Sequence, residues 1–338
     1  MKTINNDLLH ERLLERAPLL QFDENADYAA WKEKIQEKYT QLLCLEEIAK
    51  NACEIKVEIE EVVKKEGYTR YRYVFETEKG CYLPCYLLVP DTGKEKYPVL
   101  LCLQGHTAGF HISIGEYKYD GDERGLESST FALDGVKNGF AALCIEQRGM
   151  GERQTPFDHR GRQEGEGCPC HYTAMTALLA GRTLIGERVW DVSRAIDSLS
   201  YFDHLDLEDI TCVGHSGGGT ATYYSACFDK RIKMAVPSCG VCSYRRSIGE
   251  TWHCTCNYVP QTAKYFDMGE LATLIAPRKL LLVTGEKDPI FPVDGVRKAY
   301  STIEKIYEKA GAKENCELLI TPREHYFCKD LVFGKIGR

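Results

Sequence analysis

Hydrophobic and polar positions change rhythm twice along this chain. Between residues 5 and 50 apolar side chains recur at three- and four-residue intervals, most clearly in DYAAWKEKIQEKYTQLLCLEEIAK, and that spacing predicts helices. From residue 54 the period drops to two. EIKVEIEEV, YTRYRYVFET and CYLPCYLLVP alternate or run apolar, and the Glu-Gly and Lys-Gly pairs between them suit hairpin turns, so the sheet is expected to start antiparallel. After residue 97 the pattern becomes short apolar runs separated by a loop and usually a helix: PVLLCLQG, FAALCIEQRG, DITCVGHS, KMAVPSC, KLLLVTGEKD and ENCELLITP. Crossovers of that length predict a mostly parallel central sheet with helices on both faces. The expected organisation is an N-terminal helical extension, 1–50, packed on a main domain, 51–338, with no internal repeat or low-complexity linker.

Composition narrows the function classes. A chain of 338 residues with 43% hydrophobic content can fill a sizeable core. Its net charge is −7 and its basic residues are scattered, which argues against a nucleic-acid partner. The first residues lack the unbroken apolar run of a signal peptide and no segment reaches about 18 apolar residues, so the expected location is cytoplasmic, without a membrane partner. Sixteen cysteines are many, and in a reducing compartment most should be small buried hydrophobes. Two clusters stand apart, CPCH (Cys168, Cys170, His171) and HCTC (His253, Cys254, Cys256). They offer zinc-type donors, but C-x-C departs from the usual C-x2-C to C-x4-C spacing, and packing beside a site mouth is the favoured reading. No metal and no cofactor is expected.

Chemistry in such sheets collects at the carboxyl ends of the strands. ITCVGHSGGGTATYYSA stops a strand at a glycine, offers Ser216 and restarts as a helix, which is the G-x-S-x-G pattern of a nucleophile elbow. Asp288 follows the strong apolar run of LLLVTGEKDPIFP, and His325 follows the last strand in LLITPREHYF. Serine, then aspartate, then histidine is the chain order of the triad in this architecture. His325 is the expected general base and Asp288 its orienting partner. Asp294 and Glu324 compete for the acid position; Asp294 lies deeper in the next helix and Glu324 adjoins His325. For the oxyanion hole the main-chain N–H groups of Gly217 and His106 are chosen, with Thr107 as the alternative to His106.

The set LQGHTAG, IEQRGMGER, GRTLIGERVWDVSRAIDSL, GHSGGG, GEKDPIFP and REHYF resembles the acetyl xylan esterase-like, dienelactone-hydrolase-related branch of the α/β-hydrolases, over roughly residues 55 to 330. The resemblance implies the α/β-hydrolase fold and a serine carboxylesterase, with removal of acetyl groups from sugars the activity usually suggested. Departures accompany it. Gln104-Gly105 stands where relatives commonly open with His-Gly. Met150, Gly217 and Tyr326 stand where the similar cephalosporin C deacetylases have Gln, Gln and Glu, so that group's ring-like oligomer and antibiotic substrate are not carried over.

The remaining singled-out residues have plainer readings. Arg148 and Glu152, like Arg182 and Asp191, are expected in structural ion pairs, and His215 in a packed, hydrogen-bonded position. Two long insertions should fold over the strand ends, giving Trp252, His253, Tyr258 and His171 as a candidate substrate wall. The expected activity is cofactor-free hydrolysis of a short acyl ester, acetyl first, on a carbohydrate, through an acyl-enzyme on Ser216. Rival readings are a non-sugar ester or lactone hydrolase, a prolyl oligopeptidase-like peptidase, a zinc-dependent hydrolase built on the Cys/His clusters, and a silent binding protein of the same fold. A homo-oligomer is left open.

Overall fold

The computed structural model describes residues 7–154 and 170–337. Among these residues nine strands form one sheet: β1 (Glu58–Lys65), β2 (Tyr68–Glu78), β3 (Cys81–Pro90), β4 (Tyr97–Leu103), β5 (Ala141–Ile145), β6 (Leu205–His215), β7 (Ile232–Ser238), β8 (Lys279–Gly285) and β9 (Cys316–Thr321). Their spatial order is β1-β2-β3-β5-β4-β6-β7-β8-β9. The first three pair antiparallel, β3 meets β5 antiparallel, and every later pairing is parallel. This is the α/β-hydrolase fold. The alternating first strands and the later apolar runs therefore mark the two halves of the sheet, as their periods predict. One boundary moved: β1 begins at Glu58, because Glu54 to Val57 lie ahead of the pairing with β2.

Period-2 alternation sorts the side chains onto two faces. Tyr73, Phe75, Leu87, Leu101 and Leu143 join the larger core, whereas Tyr86, Leu88, Leu100, Cys102 and Ala142 join the smaller one on the other side. The chain reverses its direction of travel across the sheet at β4, which lies between β5 and β6. A crevice therefore opens at the carboxyl ends of β4 and β6, where loops leave to opposite sides.

Helices Asp7–Leu14, Tyr28–Leu42 and Leu45–Ala49 precede the sheet. The three- and four-residue spacing of the second one buries Trp31, Ile35 and Tyr39 in the larger core. Asp27 caps its first turn, accepting from the N–H groups of Ala29 and Ala30. Tyr39 is fully buried; its hydroxyl donates to the Tyr224 carbonyl at 2.6 Å and its ring stacks on the Tyr224 ring at 6.1 Å. Tyr224 belongs to helix Gly217–Phe228, which starts beside Ser216, so the N-terminal helices buttress the element behind the candidate nucleophile. Among the described residues no helix is long and apolar enough to cross a membrane.

Tyr39→Ala is expected to lower unfolding stability by about 3–5 kcal/mol, the range for deleting a buried aromatic, as read by urea denaturation. A loss below ~1 kcal/mol would mean that the helix does not belong to the folded core.

Candidate active site

The end of β6 is shaped by close backbone approach. Ser216 has φ 57° and ψ −123°, a strained conformation for a residue with a side chain, and helix Gly217–Phe228 begins at the next position. The Ser216 N–H donates to the Ser238 carbonyl at 2.8 Å, fastening the turn to β7. A methyl group on Gly218 would lie 2.0 Å from the Leu103 carbonyl oxygen, and one on Gly214 would lie 2.4 Å from that of Gly218. Neither contact is tolerable, so the glycines around Ser216 are steric requirements.

Two further strand ends meet this serine. The Ser216 hydroxyl donates to His325 Nε2 at 2.8 Å, and His325 Nδ1–H donates to Asp288 Oδ2 at 2.8 Å. Because an ionised carboxylate only accepts, that second bond sets the imidazole tautomer and leaves Nε2 as the acceptor. Asp288 Oδ1 accepts from the N–H groups of Ile290 and Phe291 at 2.8 and 3.0 Å. Burial works to raise the Asp288 carboxyl, but the His325 hydrogen bond and charge, with these two N–H donors, hold it below the usual range. The competing acids are not its partners: Asp294 pairs with Arg246, and the hydrogen bonds of the His325 ring go to Asp288 and Ser216 rather than to Glu324. His215 accepts or donates at Ser238 Oγ, 3.1 Å away, with its ring 4.8 Å from that of His325. Burial, and then the neighbouring His325, push it down to about 3. It stays neutral and adds no charge beside His325.

The loop after β4 presses against the same point. A methyl on Gly105 would sit 3.2 Å from Ser216 Cβ, and the His106 ring lies over Gly217 Cα. The Thr107 N–H is used within the loop, donating to the Gly105 carbonyl at 2.9 Å. Among the described residues the N–H groups of His106 and Gly217 have no protein acceptor, which keeps both as the candidate oxyanion donors. A cleft of about 720 Å³ opens above, lined by Thr107, Ile112, Arg124, Ile290, His325 and Tyr326 among others.

Two models of known families match the chain: one described as "Abhydrolase family" over residues 4–164, the other as "alpha/beta hydrolase fold" over residues 98–263. Over those residues the chain is similar to α/β-hydrolases, in keeping with the fold of its sheet. A Bacillus subtilis (strain 168) protein named "Putative hydrolase YtaP" is 26% identical over 246 residues, 72% of this chain and 78% of that one. Among solved structures, a "putative acetyl xylan esterase" of Bacteroides fragilis NCTC 9343 superposes with a TM-score of 0.79 at 17% identity, covering 99% of this chain and 95% of the other. A glucuronoyl esterase from Solibacter usitatus gives 0.65 at 16%, with 93% and 94% covered. The acetyl xylan esterase of Paenibacillus sp. R4 gives 0.64 at 17%, with 96% of each chain covered.

The four residues expected as a substrate wall do not line the cleft. Trp252 is 77% exposed, and His171 points outward at the start of helix Cys170–Leu179. His253 is buried against Ser247 Oγ (2.8 Å), the Ile290 carbonyl (3.2 Å) and the Phe291 ring, where it props the loop carrying Asp288. Tyr258 donates to the Ile248 carbonyl and faces a separate apolar cavity of about 540 Å³ under helix Asp7–Leu14. One wall comes instead from a segment that sequence reasoning missed, residues 110–129, whose fold is tied by buried Asp122. That carboxylate accepts from His111 Nε2 and from the N–H groups of Lys118 and Tyr119, at 2.8 to 2.9 Å. Residues 110–129 carry no regular apolar period, so the signal was absent. Cys168 and the insertion 155–169 lie outside the described residues.

The cysteine clusters rearrange as well. Cys170, Cys254 and Cys256 converge, but the histidine that joins them is His106, with its Nε2 3.2 Å from Cys256 Sγ, and neither His171 nor His253 takes part.

Beneath the site lies an ionic network. Buried Arg148 donates to both Asp191 oxygens at 2.8 Å and to Glu78 at 2.6 Å; Arg153 reaches Asp191 at 2.7 Å, and Arg182 reaches Glu78. Glu152, by contrast, pairs at the surface with Arg72. Burial alone would raise the Asp191 carboxyl, but Arg148 and Arg153 hold it far below the usual range. Glu146 is different. It accepts from Gln104 Nε2 at 2.8 Å and from the N–H groups of Phe110 and Glu152 at 3.3 Å, yet burial pushes it up to about 7. Gln104, at the departure from His-Gly, thus braces the loop after β4 from below.

Arg148→Met leaves buried carboxylates short of a partner and is expected to cost about 3–5 kcal/mol in denaturant unfolding; a neutral result would contradict the network. The Glu146 carboxyl is raised from its ordinary 4.5, so its contribution is fully present below about pH 4.5 and lost as pH climbs through about 7. Glu146→Gln should flatten the fall in stability over that interval, by up to about 3 kcal/mol; an unchanged slope would show that Glu146 titrates normally.

Proposed function

We propose that the protein is a serine carboxylesterase that removes short acyl groups, acetyl first, from carbohydrate esters. The observation that carries this reading is the unbroken hydrogen-bond relay from Ser216 through His325 to Asp288 at the floor of an open cleft. The cleft is large enough for a sugar residue and mixes Arg124 and Asp120 with apolar Ile112 and Ile290, a lining suited to hydroxyl-rich alcohols. Acetyl xylan and glucuronoyl esterases among the structural neighbours support a carbohydrate ester as the substrate class.

In this mechanism His325 takes the Ser216 proton as the oxygen attacks the ester carbonyl. The N–H groups of Gly217 and His106 stabilise the oxyanion, worth on the order of a hundredfold each in rate. His325 then returns the proton to the leaving alcohol, and water, activated by the same imidazole, releases the acid from the acyl-enzyme. Asp288 stays ionised throughout and stabilises the imidazolium.

Hydrolysis of p-nitrophenyl esters from acetyl to octanoyl tests the reading. Turnover should fall steeply beyond butyryl and drop on the order of 10³-fold or more in Ser216→Ala. Equal rates in both proteins would remove Ser216 from the reaction, and no turnover with any ester would favour a binding role.

A further inference from the structure

Sγ of Cys170, Cys254 and Cys256 and a ring nitrogen of His106 all lie within 4.8 Å of one another. They come from three separate places in the fold: the loop after β4, the first residue of helix Cys170–Leu179, and the short turn Thr255–Asn257 with Cys254 just ahead of it. The three cysteines are buried, with Met150, Ala174 and Leu184 packed around them, and among the described residues no cysteine is in a disulfide. Three thiols and an imidazole are the donor set of a closed structural zinc centre. Zn–S bonds of about 2.3 Å and Zn–N bonds of about 2.0 Å require donors about 3.5–3.8 Å apart, a contraction of at most about 1.0–1.3 Å from the 4.8 Å limit found here.

A second observation concerns charge. Arg188 is 1% exposed, and its guanidinium donates to the Arg148 carbonyl at 2.7 and 3.2 Å and to Cys170 Sγ at 3.0 Å. Among the described residues it has no carboxylate partner, in contrast to Arg148 and Arg182 beside it. A buried cation held by a neutral carbonyl and a neutral thiol, with no opposite charge beside it, would carry a penalty of several kcal/mol. Zinc bound by three thiolates and a neutral imidazole has one net negative charge, which Arg188 balances.

We propose that His106, Cys170, Cys254 and Cys256 bind one zinc ion that has a structural role. The ion clamps the His106 ring, and the ring lies over Gly217, so the metal holds the first oxyanion loop and the turn at Cys254–Cys256 in register with the elbow. It has four protein ligands and no open position, so it activates no water and takes no part in bond breaking. Binding releases the thiol protons to solvent. The inference does not depend on the esterase reading.

Elemental analysis of the full chain, purified without chelator, tests it. About one zinc per chain is expected, released by a mercurial thiol reagent, with cobalt replacement giving tetrahedral d–d bands and a thiolate charge-transfer band. Cys256→Ser should hold less than about a tenth as much metal, whereas Cys316→Ser, remote from the cluster, should keep it. Removing the metal should also lower the thermal midpoint, a readout independent of any substrate. Wild-type protein that neither contains zinc nor takes up cobalt would overturn the proposal, as would a disulfide among the three cysteines in the purified protein. If Cys256→Ser does not fold, the wild-type metal content and cobalt spectrum decide the question alone.

Discussion

Everything at this site depends on one steric constraint, the closeness with which the turn at Ser216 is pressed among its neighbours. The Gly218 Cα sits under the Leu103 carbonyl, and Ser216 N–H bonds to the Ser238 carbonyl, so β4, β6 and β7 meet within one turn of chain. That closeness forces the strained backbone at Ser216, directs its Oγ outward, and opens the first N–H groups of the following helix. It also brings Gly105 against the serine, and with it the neighbouring His106 N–H proposed as an oxyanion donor. Loosening any of these contacts would shift the candidate nucleophile and the candidate donors together.

The surroundings supply rigidity through paired charges. Arg148, Arg153 and Arg182 neutralise Asp191 and Glu78 below the loop after β5, and the hydrogen-bonded Glu146 ties that loop to Gln104. On the opposite flank His253 and the N–H groups of Ile290 and Phe291 keep the Asp288 loop in place. The N-terminal helices act from further away, through Tyr39 against Tyr224. Preorganised dipoles of this kind are the usual means by which acyl-transfer sites stabilise charge.

Much of the fold was legible because each strand announces itself locally. Alternation marks β2 and β3, unbroken apolar runs mark β4 to β8, and the glycines of GHSGGG mark a crowded turn. The Ser216, Asp288 and His325 positions were legible for the same reason, since each ends an apolar run in the expected order. What local pattern does not encode is which loops meet in space. Trp252 and Tyr258 do not line the cleft although their insertion packs beside it through His253 and Cys256, while residues 110–129 form one wall. The cysteine clusters show the same limit: adjacency in sequence pointed to His171 and His253, whereas the sheet topology delivers His106 from another loop altogether.

The central claim is that Ser216 is the nucleophile of an acyl-transferring relay. Treating the protein with a fluorophosphonate, which reacts only with an activated hydroxyl, and locating the adduct by peptide mass spectrometry tests this without assuming a substrate. The account predicts a single adduct on Ser216, formed slowly or not at all in His325→Ala. An adduct on another residue, or labelling of Ser216 that is unaffected by His325→Ala, would contradict it.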